Sequence, residues 1–113
     1  MKILSFRISC FRAIGLVAVL LSAGFANAQG TAPATFASKC AACHASDGKG
    51  DTPVGKTLGI HDLASADTQN MSDADLAQVI AKGKNKMPAY GDSLKDPEIK
   101  DLVGYIRALG KKK

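Results

Sequence analysis

The sequence is poor in the residues that usually build metal sites. Its 113 residues include only three cysteines and two histidines. The close pair Cys40 and Cys43 has no second pair downstream, and the only histidine besides His44 is His61. A structural zinc site needs four nitrogen or sulfur ligands, usually as two separated pairs. The shortage of ligands therefore argues against zinc.

Strand-like alternation, internal repeats and low-complexity segments are also missing. A thioredoxin-like Cys-x-x-Cys pair expects a βαβ setting, which is not indicated here. A plain structural disulfide between Cys40 and Cys43 is a further, less favoured alternative. The second half of the chain instead has a helical period with recognisable caps, which predicts an all-α domain.

Long hydrophobic runs are absent. The stretch from Ala13 to Leu21 has only about half the ~20 residues that a membrane-spanning helix needs. Three basic residues precede it: Lys2, Arg7 and Arg12. Ala26-Asn27-Ala28 then supplies a small-x-small cleavage pattern. We predict a cleaved secretory signal peptide over residues 1–28, a mature domain over residues 29–113, a periplasmic location and no stable membrane insertion; a retained anchor is the alternative.

The predicted mature domain has little excess of either charge. The full chain carries 15 Lys plus Arg and 10 Asp plus Glu, a net charge of +5. Residues 1–28 hold three of the positive charges and none of the negative ones, so twelve against ten remain, a net charge of +2. No basic stripe interleaved with aromatic residues is visible. Nucleic-acid binding is therefore not expected.

The most informative motif is Cys40-Ala41-Ala42-Cys43-His44. Two thiols and an imidazole at this spacing are what covalent attachment of a c-type haem requires. Each thiol adds to one vinyl group of the haem, and the imidazole of the next residue reaches the iron. We therefore predict one covalently bound haem c, held by Cys40 and Cys43, with His44 as an iron ligand.

The region around this motif predicts one helix and one long loop. The helix should start around Thr31, with Pro33 in its first turn, and run into the motif. From Ala45 to Thr68 the chain is rich in glycine and aspartate, which predicts a loop that wraps one side of the haem. A loop of this length is uncommon unless something such as a haem edge organises it.

Two further helices are predicted in the second half of the chain. The stretch from Ser72 to Asp75 resembles a capping box, so a helix should follow it through about Ala81. The last helix should have Asp96 as its N-cap and end at Gly110. Its apolar residues lie at helical spacing and should face the core: Ile99, Leu102, Val103, Ile106 and Leu109.

A haem bound only through His44 would keep an open sixth position on the iron. Met87 lies between two predicted helices, and Pro88 restricts it to an extended backbone from which a thioether can point inward. Met71 directly precedes the Ser72 cap, where an apolar residue commonly packs on the helix that follows. A lone loop histidine such as His61 is more often hydrogen-bonded at the surface than a ligand. Met87 is therefore favoured, and the other two remain alternatives.

At this point the chain resembles the single-haem class I cytochromes c, and within them the small bacterial and cytochrome c6-like members. Three matches carry the resemblance, in this order: Phe36-x-x-x-Cys40-x-x-Cys43-His44, Met87-Pro88 and Leu102-x-x-Tyr105. In that family the phenylalanine and the leucine and tyrosine mark the crossing of the first and last helices. Ala32 departs from the pattern, because the family usually has glycine there, and a slightly wider crossing is expected.

The resemblance implies an all-α fold of three to four short helices wrapped around one covalently bound haem c. It implies His44 as proximal and Met87 as distal iron ligand, with a backbone carbonyl, which we assign to Pro53, accepting from the other imidazole nitrogen. The expected function is that of a soluble periplasmic one-electron carrier rather than an enzyme. Its partners would be redox proteins, such as an oxidase, a dehydrogenase or a reductase, and the protein itself a monomer.

Two rival functions remain. A five-coordinate haem that binds a gas or a peroxide would need Met87 to be absent or labile, and no distal acid–base pair is recognisable. A haem module that serves as a dedicated subunit of an oxidoreductase would have the same motifs. Five lysines flank the ligand segments and form either a basic rim for acidic partners or an ordinary charged surface: Lys39, Lys49, Lys82, Lys84 and Lys86.

Overall fold

The structure is a computed structural model that describes residues 31–112. The predicted signal peptide, residues 1–28, lies outside the described residues. Within them the chain forms six helices and no strand beyond one isolated bridge, which confirms the all-α class. The helices are α1 (Ala32–Lys39), α2 (Ala41–His44), α3 (Pro53–Leu58), α4 (Ala66–Gln69), α5 (Asp73–Lys82) and α6 (Asp96–Lys111). Over residues 31–112 no helix has the length and apolar character needed to cross a membrane.

The predicted first helix is divided into two at Cys40. This residue has φ −113° and ψ −35°, and it ends α1 and begins α2. The amide of Cys43 donates to the carbonyl of Cys40 at 3.2 Å, and the amide of His44 donates to the same carbonyl at 2.9 Å. The hydrogen bonds of the single turn α2 therefore start at Cys40, and the attachment motif occupies a turn of its own.

The prediction of one long loop from Ala45 to Thr68 is wrong, because this region contains α3 and the start of α4. Side-chain caps begin both helices. The hydroxyl of Thr52 accepts from the amide of Gly55 at 2.9 Å, and that of Ser65 accepts from the amide of Thr68 at 3.4 Å. Each cap satisfies one of the amides that a helix start leaves without an intrahelical partner.

The predicted start of α5 is confirmed, although its cap differs in detail. The hydroxyl oxygen of Ser72 accepts from the amide of Asp75 at 3.1 Å and donates to the Asp75 carboxylate at 2.7 Å. In a full capping box the second side chain accepts from the N-cap amide instead. We attribute the difference to the side chain of aspartate, which is shorter than that of glutamate. Its carboxylate accepts from the serine hydroxyl instead of the N-cap amide.

The ends of α6 differ by one residue from the prediction. Lys95 is the N-cap, and Asp96 is the first helical residue. The carboxylate of Glu98 accepts from the amide of Lys95 at 2.9 Å, which fixes the start one residue earlier than the Asp96 signal indicated. At the other end the helix continues through Gly110 to Lys111.

The core lies where α6 packs against α1 and α5. All five residues of the predicted apolar stripe on α6 are buried. Phe36 of α1 is 2% exposed, and its ring centroid lies 5.0 Å from that of Tyr105 on α6. Ala32, the position that departs from the family pattern, is also buried. The first and last helices of the described chain therefore meet, as the resemblance implies.

Arg107 connects α6 to the segment between α4 and α5. Its guanidinium donates to the carbonyl of Gln69 at 2.7 Å and to that of Met71 at 2.5 Å. It also donates to the carboxylate of Asp73 at 2.9 Å through Nε. These bonds satisfy carbonyls at the end of α4, and they hold the segment that carries Met71 against the last helix.

Candidate functional site

The attachment segment, residues 40–44, rests on the turn and helix that follow it. The hydroxyl of Thr52 lies 2.9 Å from the carbonyl oxygen of Ala42 and 3.2 Å from that of Cys43. The amide of Gly50 donates to the carbonyl of His44 at 2.8 Å. Because a helix end leaves its last carbonyls without intrahelical partners, these bonds complete α2 and set its position relative to α3.

The Met87 loop, residues 83–91, is attached at both ends. Gly83 has φ +74°, and a Cβ placed there would lie 2.5 Å from the carbonyl oxygen of Met87. The amide of Met87 donates to the carbonyl of Lys84 at 2.9 Å and closes a tight turn. At the other end the amides of Tyr90 and Gly91 donate to the last turn of α5. The sulfur-bearing residue is therefore presented from a folded loop.

The attachment segment and the Met87 loop meet at three adjoining cavities. The main cavity, of about 520 Å³, is lined by His44, Met87 and mostly apolar residues of the segments between them. The attachment cavity, of about 40 Å³, has Cys40, Cys43, His44 and Met87 in its lining. The core cavity, of about 60 Å³, adds Phe36 and residues of α5 and α6. The main cavity lies within the range typical of cofactor sites.

The structure brings all four predicted site residues together. Cys40, Cys43, His44 and Met87 line the attachment cavity, and His44 and Met87 line all three cavities. Met71 and His61 line only the main cavity among these three. Met71 also packs against the core, as its predicted packing role requires, and His61 is exposed.

The chemistry of these side chains fits a covalently held haem. Both cysteines carry free, half-buried thiols. Burial lowers the pKa of His44, which favours the neutral imidazole that a metal needs. Burial also raises the pKa of Cys40, and the charge of Lys39 partly opposes this. Over residues 31–112 no group of three or more His, Cys, Asp or Glu side chains is placed to hold a metal ion.

The prediction that the Pro53 carbonyl accepts from His44 is wrong. That carbonyl accepts from the hydroxyl of Thr57 at 2.9 Å. The Nδ1 atom of His44 is buried, and no atom of the described residues is its hydrogen-bond partner. A buried polar atom without a hydrogen-bond partner is energetically costly. Within the described chain, this imidazole nitrogen is the one buried side-chain nitrogen or oxygen atom of the site that lacks a partner.

The five flanking lysines divide into two sets. Lys39 and Lys86 line the attachment cavity, and Lys84 and Lys86 line the main cavity. No Asp or Glu among the described residues lines either cavity. Lys49 instead lies 3.8 Å from the carboxylate of Asp47, and Lys82 borders a separate groove of about 620 Å³ between α5 and α6. That groove has no Cys, His or Met in its lining and is not a haem site.

Several residues of the site were not predicted. Thr52 supports the attachment segment, and Leu58 and Ile60 line both the main and the attachment cavity. The signal for the last two was present, because they are large apolar residues in a glycine-rich stretch. For Thr52 no local signal exists, since its partners lie nine and ten residues away in the sequence.

Comparisons with known proteins agree with this geometry. The family model described as "Cytochrome C oxidase, cbb3-type, subunit III" matches residues 27–106. Cytochrome c6 of Pyropia yezoensis is 35% identical over 107 residues, covering 95% of this chain and 91% of the relative. Cytochrome c6 of Porphyra purpurea is 36% identical over 102 residues, covering 90% and 86%. The solved structure of the KustC0563 c-type cytochrome has a TM-score of 0.64 at 29% identity, covering 69% of this chain and 95% of that one.

The matched range, residues 27–106, contains the attachment segment, the Met87 loop and most of α6. The likeness therefore extends over the whole site and the helix crossing, and it is not confined to the five-residue motif. The aligned residues also cover 91% of the cytochrome c6 of Pyropia yezoensis. The chain thus belongs to the class I cytochromes c, as a small single-haem member that carries a covalently bound haem c and acts in electron transport.

Proposed function

We propose that this protein is a periplasmic one-electron carrier whose haem iron is bound by His44 and Met87. We also propose that residues 1–28 direct its export and are removed, so that residues 29–113 form the mature domain. One observation carries the assignment of the ligands. His44 and Met87 line all three cavities, whereas the alternative ligands Met71 and His61 line only the main cavity.

The haem supplies a metal centre that can gain and lose one electron. Cys40 and Cys43 would hold it through thioether bonds, and the neutral imidazole of His44 would bind the iron. The thioether of Met87 would supply the second protein ligand of the iron. Because this leaves no vacant place for a substrate, the protein would pass single electrons between partners and would not catalyse a reaction of its own.

Two properties of the residues favour the reduced state. Met87 supplies a thioether, and His–Met ligation raises the reduction potential relative to stronger donor pairs. Leu63, Leu76 and Val79 surround the site with apolar surface, and low polarity penalises the additional positive charge of the oxidised iron. Both effects act in the same direction, so a comparatively high potential is expected.

The first test of this proposal uses the haem-loaded, oxidised protein. We expect a weak near-infrared charge-transfer band that marks a sulfur–iron bond, and we expect Met87→Ala to abolish it. The reduced Met87→Ala protein should also bind carbon monoxide readily, because the sixth position is then open. Absorption spectra of the two oxidation states provide both measurements.

Met71→Ala is the matched control, because Met71 lines the same main cavity. It should keep the band and remain closed to carbon monoxide. A band that survives in Met87→Ala, or that is lost in Met71→Ala, would contradict the assignment of Met87. An unmodified protein that lacks the band and binds carbon monoxide would favour the gas- or peroxide-binding function instead.

We further propose that the partner surfaces near the haem are acidic, since Lys39, Lys84 and Lys86 border the cavities without a neighbouring carboxylate in the linings. The double variant Lys84→Gln, Lys86→Gln should react about two- to fivefold more slowly with ferricyanide at low ionic strength, because electrostatic attraction is weakened. Stopped-flow mixing gives the rate. The control Lys49→Gln, Lys82→Gln removes two lysines placed elsewhere, and an equal loss of rate in both variants would refute a local basic rim.

The family match also favours a second candidate function. A haem module related to a subunit of a cbb3-type oxidase could deliver electrons inside such a complex. Fractionation of the producing cells separates the two. Recovery as a free protein from the periplasm supports the carrier, whereas stable co-purification with an oxidase from solubilised membranes supports the subunit.

A further inference from the structure

Tyr90 joins three parts of the site that are distant in sequence. Its backbone amide donates to the carbonyl of Ile80 in the last turn of α5 at 3.0 Å. Its hydroxyl donates to the carbonyl of Lys39, the last residue of α1, also at 3.0 Å. The residue itself belongs to the Met87 loop, three positions after Met87. One side chain therefore links that loop to the helix that leads into the attachment segment.

The break between α1 and α2 makes the Lys39 carbonyl available for this bond. In a continuous helix the amide of Cys43 would donate to Lys39, four residues earlier. Here that amide donates to Cys40 instead, because α2 starts a new turn. The carbonyls at a helix end need partners from elsewhere, and the phenol of Tyr90 supplies one.

The position of Tyr90 relative to the ligands gives this bond a functional setting. Its side chain is half-buried and lines the attachment cavity together with Cys40, Cys43, His44 and Met87. The turn before Met87 is held by its own backbone bonds and by Gly83. On the other side of Met87, the hydroxyl of Tyr90 makes the hydrogen bond that joins the loop to the end of α1.

We propose that Tyr90 is a positioning residue for the sixth iron ligand: its hydroxyl couples the Met87 loop to the end of α1 and so keeps the sulfur of Met87 on the iron. This inference rests on the proposed His44 and Met87 ligation. Loss of the hydroxyl leaves the amide bonds of Tyr90 to Ile80 and of Gly91 to Ala81 in place. The protein stays folded, and the loop swings away from α1 more readily.

The test is Tyr90→Phe in the haem-loaded, oxidised protein, with imidazole as a competing ligand. Imidazole binds only when Met87 leaves the iron, and loss of the near-infrared band reports its binding. We expect the equilibrium constant for displacement to rise about fivefold, which corresponds to about 1 kcal/mol for one hydrogen bond at about 1.36 kcal/mol per tenfold.

Tyr105→Phe is the matched control, because it removes a phenol hydroxyl at the crossing of α1 and α6, from a residue that lines none of the three site cavities. Imidazole binding should be unchanged in this variant. Chemical unfolding of all three proteins, followed by far-ultraviolet circular dichroism, provides a second readout. A lower unfolding midpoint in Tyr90→Phe with unchanged imidazole binding would reveal a purely structural role and overturn the proposal.

An equal rise in imidazole binding in both variants would also overturn it, since the effect would then not depend on the loop. If the unmodified protein lacks the near-infrared band, the assignment of Met87 itself fails, and the role of Tyr90 fails with it. That outcome is visible before any variant is made, so the two failures are distinguishable.

Discussion

Gly55→Ala is expected to destabilise the protein by about 3 kcal/mol or more and to reduce the yield of haem-loaded protein. Gly55 is buried at the contact between α3 and α2. A Cβ placed there would lie 2.5 Å from the carbonyl oxygen of Cys43 and closer still to that of Gly50. Both atoms belong to the backbone, so no side-chain rotation relieves the clash. The attachment segment would have to move away from the helix that supports it.

Denaturant unfolding of the haem-loaded protein and quantification of bound haem measure the two effects. Gly104→Ala is the matched control, because Gly104 lies within α6 and an added Cβ would meet no atom within 4 Å other than its chain neighbours and the backbone of its own helix. We expect this variant to be stabilised by about 0.5–1 kcal/mol, since alanine favours a helix interior over glycine. Equal midpoints for Gly55→Ala and the parent protein would show that α3 can separate from α2 at little cost.

Phe36→Ala is expected to cost about 3–5 kcal/mol, the range for removing a buried aromatic side chain. Phe36 is 2% exposed, and its ring lies against Tyr105 at 5.0 Å between centroids. It also lines the core cavity together with Cys40 and His44. The space left by the ring would therefore adjoin the site, and the haem environment should become less uniform as well as less stable.

Thermal unfolding with and without denaturant measures the loss, and the width of the haem absorption bands reports the altered environment. Val54→Ala provides the comparison, because Val54 is 49% exposed and its truncation should change stability by less than about 0.5 kcal/mol. Similar losses in the two variants would contradict a core centred on the crossing of α1 and α6.

The elements with a long regular pattern could be predicted from the sequence, and the error at their ends was small. The five apolar residues of α6 define its buried face, because a period of 3.6 residues over three turns admits few other interpretations. The N-cap was misplaced by one residue. Asp96 is a good capping residue, but the bond from the Lys95 amide to Glu98 makes Lys95 the cap. That bond depends on a side-chain conformation that composition does not reveal.

The two short helices between residues 45 and 68 could not be predicted in the same way. α3 has six residues and α4 has four, too few for a hydrophobic period, and their surroundings are rich in turn-forming residues. Tertiary contacts decide this region. Thr52 caps α3 and at the same time bonds the end of α2, so the helix and its packing arise together.

The site shows the same contrast between features that a short sequence pattern indicates and features that depend on residues distant in the sequence. The attachment motif and Met87-Pro88 are short patterns with a chemical reason, and the structure places them at the same cavities. The partner of the His44 imidazole depends on backbone that is distant in the sequence. The sequence-based choice of Pro53 was wrong, because Nδ1 of His44 has no hydrogen-bond partner among the described residues. The hydroxyl bond of Tyr90, which spans 51 residues, likewise has no local signal.

The distribution of the core along the chain has a consequence for how the protein is made. Five of the nine buried residues in the core cluster belong to α6, which follows the other helices in the sequence and is synthesised after them. Before α6 is available, α1 and α5 lack the helix against which both of them pack. The nascent chain therefore stays open through most of its synthesis and collapses late. During that interval the thiols of Cys40 and Cys43 are more accessible to other molecules than they are in the folded protein, where both residues are half-buried.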